Sequence, residues 1–181
     1  MKLIFVRHGQ AGPYCADDAG RDLTDVGRQQ AHEMADFLVN YTKESPVDAI
    51  IASPYNRANQ TATILLESLV SAEQNPAFIT ISSITPDDDP SIGLDDIDCA
   101  IRHKFGIETD ELTVAIVCHM PIVARMTAIL DGLSPSSFEL AECRVFDTEV
   151  IAPELAKQIA QFIPIQPKSV QRKKILAKDD F

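Results

Sequence analysis

Three short apolar runs stand out along the chain: "KLIFV" at 2–6, "DAIIA" at 48–52 and "TVAIVC" at 113–118. Each is too short for a core helix. Each also lacks the polar alternation of a half-exposed strand, so the pattern predicts strands buried on both faces. "FITIS" at 78–82 is a fourth candidate. Between these runs the apolar positions change period. From Thr24 to Tyr41 they fall at Val26, Ala31, Met34, Ala35, Leu38 and Tyr41, near the helical repeat. Thr24 suits an N-cap, and Pro46 stops anything continuing from that helix. Ala58, Ala62, Leu65, Leu66 and Leu69 make one face of a helix over 57–70. A third helix is predicted over 121–130, with Pro121 at its first position and Gly132 just past its end. A weaker one spans 94–105. Within 143–165, "CRVFDTEVI" reads as a strand, while "ELAKQIAQFI" fits a strand or a helix.

Strands alternating with helices imply parallel pairing through right-handed crossovers. The predicted fold is a three-layer α/β/α sandwich with a mainly parallel central sheet. No internal repeat or dividing linker interrupts it, and 181 residues suit one domain. That domain is expected over 1–165, followed by a basic, mobile tail over 166–181.

Three of the predicted strands end alike. Strand 2–6 runs into Arg7 and His8. Strand 48–52 runs into "SPYNR", which carries Arg57 to the start of the next helix. Strand 113–118 runs into His119, just before the helix opened by Pro121. In an open α/β sheet, ligands bind beyond the carboxyl ends of the strands. Two arginines and two histidines would converge there, beside helix N-termini that favour anions. Arg7 and His8 are adjacent cations at neighbouring positions, which makes sense if something negative sits between them. The size of the site suits one phosphoryl group.

Those residue types define a chemistry. A neutral imidazole is a nucleophile, and the nearby guanidinium charges should keep His8 unprotonated. Arginine presents a planar fork to phosphate oxygens. His119 can donate a hydrogen bond as charge redistributes. Phosphoryl transfer mostly needs positioning and charge stabilisation, so no metal or other cofactor is expected. Taken singly, Arg57 would be a surface residue, His119 a structural histidine and Arg7 half of a salt bridge. Their joint placement after three strands is what favours the phosphate site. His32 and His103 fall in helical patterns and read as surface residues.

Charge and composition narrow the class. The net charge of −11 argues against general binding to nucleic acid. The charge is uneven: between 168 and 181, five basic residues stand against two acidic ones, so this segment is +3 and the rest of the chain −14. No apolar run is long enough to span a membrane, and the N-terminus lacks the pattern of a signal peptide, so a cytoplasmic protein is expected. Cys15, Cys99, Cys118 and Cys143 form no C-x-x-C pair and are expected to be free, mostly buried thiols.

"VRHG" at 6–9, "SPYNRANQTA" at 53–62 and "CHMP" at 118–121, in that order, resemble the histidine phosphatase superfamily, also called phosphoglycerate mutase-like. The resemblance covers roughly residues 1 to 131. It implies that fold, with His8 transiently phosphorylated and Arg7, Arg57 and His119 holding the phosphate. Mutases and sugar bisphosphatases of the family usually insert a helical subdomain after the second motif. Here only 62 positions separate Arg57 from His119. "RDLTDVGRQQA" at 21–31 and "ITPDDDP" at 84–90 resemble segments of the small SixA-type phosphohistidine phosphatases. That implies a phosphorylated histidine on a phosphotransfer (HPt-type) protein as substrate.

Two positions stay open. Arg21 precedes the helix capped by Thr24, where it could contact substrate or phosphate, or form a surface salt bridge to the Asp17–Asp18 region. Other branches of the family use a glutamate as proton donor near a loop that reads Ser83-Ile84-Thr85-Pro86 here. Asp87 and Asp88 are candidate donors, or part of a solvated acidic loop. The alternative functions are a small-molecule phosphomonoesterase of the same superfamily and a non-catalytic anion-binding or scaffold domain.

Overall fold

The computed structural model describes residues 1–109 and 111–166. The basic tail therefore lies outside the described residues, apart from Gln166. Six strands form one sheet: β1 (Lys2–Arg7), β2 (Ala49–Ala52), β3 (Ala77–Thr80), β4 (Thr113–Cys118), β5 (Cys143–Asp147) and β6 (Lys157–Phe162). Their order is β3-β2-β4-β1-β5-β6. The pairs β1–β4, β2–β4 and β2–β3 are parallel, whereas β5 is antiparallel to both β1 and β6. Four helices cover the faces: α1 (Asp25–Tyr41), α2 (Asn56–Ser71), α3 (Pro90–Phe105) and α4 (Ile122–Asp131).

Successive side chains of the central strands feed two cores. Leu3 and Phe5 pack with Ile51, Ile116, Ile97 and Met126 on the α3–α4 side. Ile4 and Val6 pack with Ile50, Val117, Met34 and Leu65 on the α1–α2 side. Both faces are covered, which explains the unbroken apolar runs. Burying one such side chain contributes about 1.5–3 kcal/mol. The three-layer α/β/α sandwich is the observed fold.

Several boundaries move. α3 starts at Pro90 rather than 94, because Asp89 caps it by accepting from Ser91 N, and Pro90 fits the first turn. Pro121 is the N-cap of α4, not its first helical residue. The ambiguous segment at 154–163 contains a strand. Pairing with β5 decides it, and Ala160 and Phe162 pack onto the α1–α2 core, Phe162 stacked on Phe37 at 4.8 Å. All four cysteines are free, but only Cys118 and Cys143 are buried; Cys15 and Cys99 are exposed. Among the described residues, no helix is long and apolar enough to cross a membrane.

Candidate active site

The site lies where β1, β4 and β2 end side by side. His8 N donates to Cys118 O at 3.1 Å, and Ser53 N donates to Val117 O at 3.0 Å. Parallel pairing thus brings the exits of the three strands together, and Arg7, His8, Arg57 and His119 converge as the sequence predicts.

Two glycines let α1 sit against this exit. A Cβ on Gly9 would lie 2.4 Å from Gly27 O, and one on Gly27 would lie 2.0 Å from Gln10 O. Only hydrogen fits at either Cα, so the first turn of α1 rests directly on the backbone after His8. Thr24 caps that turn by accepting from Gly27 N at 3.0 Å. Thr61 Oγ1 accepts from Gly9 N at 3.1 Å, and Gln30 Oε1 accepts from Gln10 N at 3.0 Å.

His8 is held by two partners whose roles are fixed. Its Nδ1 is 2.7 Å from Gly9 O, and a carbonyl can only accept, so Nδ1 carries the proton. Its Nε2 lies 3.1 Å from Arg57 Nε, which can only donate, so Nε2 presents a lone pair. A single tautomer satisfies both contacts, with the free lone pair on Nε2.

The surrounding donors are also placed. Arg7 Nη1 donates to Phe138 O at 2.6 Å. The His119 ring lies 5.0 Å from that of His8, centre to centre, and Ser53 Oγ lies 2.7 Å from His119 Nε2. When the Ser53 hydroxyl donates, the ring proton of His119 sits on Nδ1. Arg7 Nε and His119 Nδ1 are buried and have no partner within the described protein. Buried donors are normally satisfied, so these two are suited to an incoming anion. Tyr55 walls one side, its ring 5.1 Å from that of His119 and 5.1 Å from the Arg57 guanidinium carbon.

Arg21 reaches this cluster through an acid. Asp18 Oδ1 lies 3.0 Å from Arg21 Nε, and Asp18 Oδ2 lies 2.9 Å from Arg57 Nη2. The salt bridge weighed for Arg21 is therefore present, and its other partner is the buried Arg57. Arg21 Nε is poorly aligned with the carboxylate and makes no hydrogen bond. Neither Asp87 nor Asp88 makes a hydrogen bond or ion pair with this cluster. Asp88 Oδ2 closes a local turn, accepting from Thr85 N at 2.7 Å and Thr85 Oγ1 at 2.6 Å. Asp87 is exposed. Among the described residues no group of three His, Cys, Asp or Glu could hold a metal ion.

Both histidines are pushed towards the neutral form. Burial is the largest cause for His8, followed by the charges of Arg57, Arg7 and Arg21, and these outweigh the bond to Gly9; its pKa falls to about 3. Burial and then the proximity of His8 lower His119 to about 2. The unfolded chain binds these protons near pH 6.5 and the folded one does not, so stability is complete above that pH and drains away below it. Each histidine should contribute up to about 1.4 kcal/mol per pH unit between about pH 6.5 and pH 4. Urea unfolding across that range should show a shallower acid loss in His119→Gln than in the wild type. Equal slopes would mean that His119 is already protonated in the folded protein.

Comparison with known proteins points the same way as the motifs. The sequence model of the histidine phosphatase superfamily (branch 1) matches residues 3–82, which include "RHG" and "SPYNRANQTA". Over that stretch the chain is similar to the histidine phosphatase superfamily. The phosphohistidine phosphatase SixA of Escherichia coli (strain K12) is 28% identical over 140 residues, covering 76% of this chain and 80% of that protein. The solved structure of the protein histidine phosphatase SixA complexed with tungstate superposes with a TM-score of 0.71 at 21% identity, covering 91% of this chain and 97% of that one. A mycobacterial glucosyl-3-phosphoglycerate phosphatase superposes with a TM-score of 0.63 at 16% identity, covering 88% and 97%. At such identities the superpositions establish the fold that this chain shares with both.

Sequence reasoning weighed Asp18 only as a salt-bridge partner of Arg21 and missed its contacts with Arg57; it also missed Ser53 and the Phe138 carbonyl. Ser53 stood in a quoted motif. The contacts of Asp18 with Arg57 and of Phe138 with Arg7 carried no signal, because they are long-range.

Proposed function

We propose that this histidine phosphatase removes phosphate from a histidine displayed on a phosphotransfer protein, through a phospho-His8 intermediate. The observation that carries the chemistry is the tautomer of His8: its Nε2 lone pair is fixed by Gly9 O on one side of the ring and by Arg57 Nε on the other.

In the first step Nε2 attacks phosphorus and the P–N bond to the substrate imidazole breaks. The bonding pair returns to that ring, which, protonated on its other nitrogen, leaves as neutral imidazole. Once the Nε2 lone pair is bonded to phosphorus, the Arg57 Nε–H is left to donate to a phosphoryl oxygen. Arg7, Arg21 and His119 take the remaining oxygen charge. His8 is now a cationic ring with its Nδ1–H on Gly9 O, which makes it a good leaving group. Water attacks phosphorus, the bond to Nε2 breaks, and inorganic phosphate is released with loss of a proton to solvent.

Two features support a protein phosphohistidine over a sugar phosphate. The chain passes from α2 through β3, α3 and β4 without an inserted subdomain above the site. In addition, neither Asp87 nor Asp88 makes a hydrogen bond or ion pair with the cluster. An alkoxide leaving group needs a proton as the P–O bond breaks, while protonated phosphoimidazole does not. The likeness to a phosphohistidine phosphatase agrees with this reading.

The test is turnover of a phosphorylated phosphotransfer domain against a panel of sugar phosphates. The former should be the better substrate. Asp87→Asn and Asp88→Asn should each cost less than about tenfold on it, whereas general acid catalysis would contribute about 10²–10⁴-fold. Efficient turnover of sugar phosphates would favour the small-molecule phosphatase reading, as would a loss beyond about 100-fold in either variant.

A further inference from the structure

Arg57 is 3% exposed, and its guanidinium is gripped from three directions. Nε donates to His8 Nε2 at 3.1 Å, Nη1 to Asp18 O at 2.6 Å, and Nη2 to Asp18 Oδ2 at 2.9 Å. One residue therefore supplies two of the three contacts, through its backbone and its side chain. The other carboxylate oxygen of Asp18 lies 3.0 Å from Arg21 Nε. The loop that carries Asp18 is itself tied to the start of α2. Asn56 N donates to Ala19 O at 2.9 Å, Asn56 Nδ2 to Gly20 O at 3.1 Å, and Gln60 Nε2 to Asp22 Oδ1 at 2.7 Å. Asp18 is thus a fixed anchor, whereas a loose surface ion pair would add little.

We propose that Asp18 is a positioning residue that trades affinity for phosphate against alignment of the phosphoryl group. The argument rests on the phospho-His8 reading above. With both Nη groups anchored, the guanidinium plane and its Nε–H stay put, and a phosphoryl oxygen takes over the Nε–H once His8 Nε2 has given its lone pair to phosphorus. One N–H on each Nη nitrogen remains for the anion, so the grip does not consume the fork. The same carboxylate places a negative charge between two arginines that bind an anion. It repels bound phosphate and so weakens both ground-state binding and product retention. A side chain that only held the loop together would aid binding and rate alike. Asp18 moves them in opposite directions, because alignment matters most in the transition state and net charge matters most in the ground state.

Asp18→Asn isolates the charge, since its amide keeps the shape and one acceptor. Phosphoramidate, a small P–N donor, is the probe for the rate of phospho-His8 formation. Inorganic phosphate is the probe for anion affinity. The variant should form phospho-His8 at least about tenfold more slowly, the scale of a charge-assisted contact, while inorganic phosphate inhibits it severalfold more tightly. Asp18→Glu keeps the charge and shifts the anchor, so its rate should fall while phosphate affinity stays near the wild type. The proposal is overturned if rate and phosphate affinity fall together, if both are unchanged, or if the rate rises as affinity rises. Unfolding of both variants would also overturn it, making Asp18 a structural clamp. Absence of phospho-His8 in the wild type would reject the functional reading itself, and the role of Asp18 with it.

Discussion

His8→Asn should lose phosphatase activity by about 10⁴-fold or more while the fold is retained, the scale seen when a covalent nucleophile is removed. The reason is geometric. An asparagine amide can place its NH₂ near the position of Nδ1 and keep the bond to Gly9 O, but no atom replaces Nε2. The far edge of the ring is lost, and with it the lone pair that faces Arg57 Nε at 3.1 Å. Arg7, Arg57 and His119 would still bind phosphate, so affinity for inorganic phosphate should change little while turnover disappears. The same assignment predicts what a trapping experiment finds in the wild type. Brief exposure to a phosphodonor followed by quenching should leave phosphate on His8, stable in alkali and labile in acid. Phosphate recovered on a serine or aspartate instead would remove His8 from the role.

The readable and unreadable parts of this molecule differ for physical reasons. β1, β2 and β4 are covered on both faces, so they announce themselves as apolar runs, and the residues at their ends can be placed from topology alone. That is why Arg7, His8, Arg57 and His119 are legible as a group. β6 is an edge strand with only Ala160 and Phe162 turned inward, too few positions to set a period. Its pairing with β5 is a tertiary decision. Asp18 is harder still. In sequence it is one of two aspartates in a polar loop, and its meaning comes from an arginine 39 positions away. The electrostatics of His8 are half legible. Cationic neighbours are visible in the motif spacing, but burial, the larger cause of its lowered pKa, appears only once α1 is seated on Gly9.

Arg57→Ala should lower kcat/KM by about 10²–10³-fold, the scale of losing one oxyanion donor. The loss has three sources. The hydrogen bond that aims the lone pair of His8 disappears. The donor that would follow the phosphoryl oxygen disappears with it. Asp18, left without its stronger partner, keeps its negative charge beside the pocket. Arg57→Lys separates charge from shape. An ammonium restores a positive charge but cannot face His8 Nε2, Asp18 O and Asp18 Oδ2 from one plane, so recovery should be partial. The pKa of His8 gives an independent readout. Arg57 is the largest of the charges holding it down, second to burial among the lowering causes. In Arg57→Ala the His8 pKa should rise from about 3 towards its ordinary value, both by loss of that charge and by admission of water. Ring-nitrogen NMR across the acid range would follow it directly. In Arg57→Lys the rise should be smaller, because the charge persists. A fall in kcat/KM with no movement of the His8 titration would mean that Arg57 binds phosphate without influencing the nucleophile. Equal activity in the lysine variant and the wild type would mean that charge alone suffices and the planar fork has no part in the reaction.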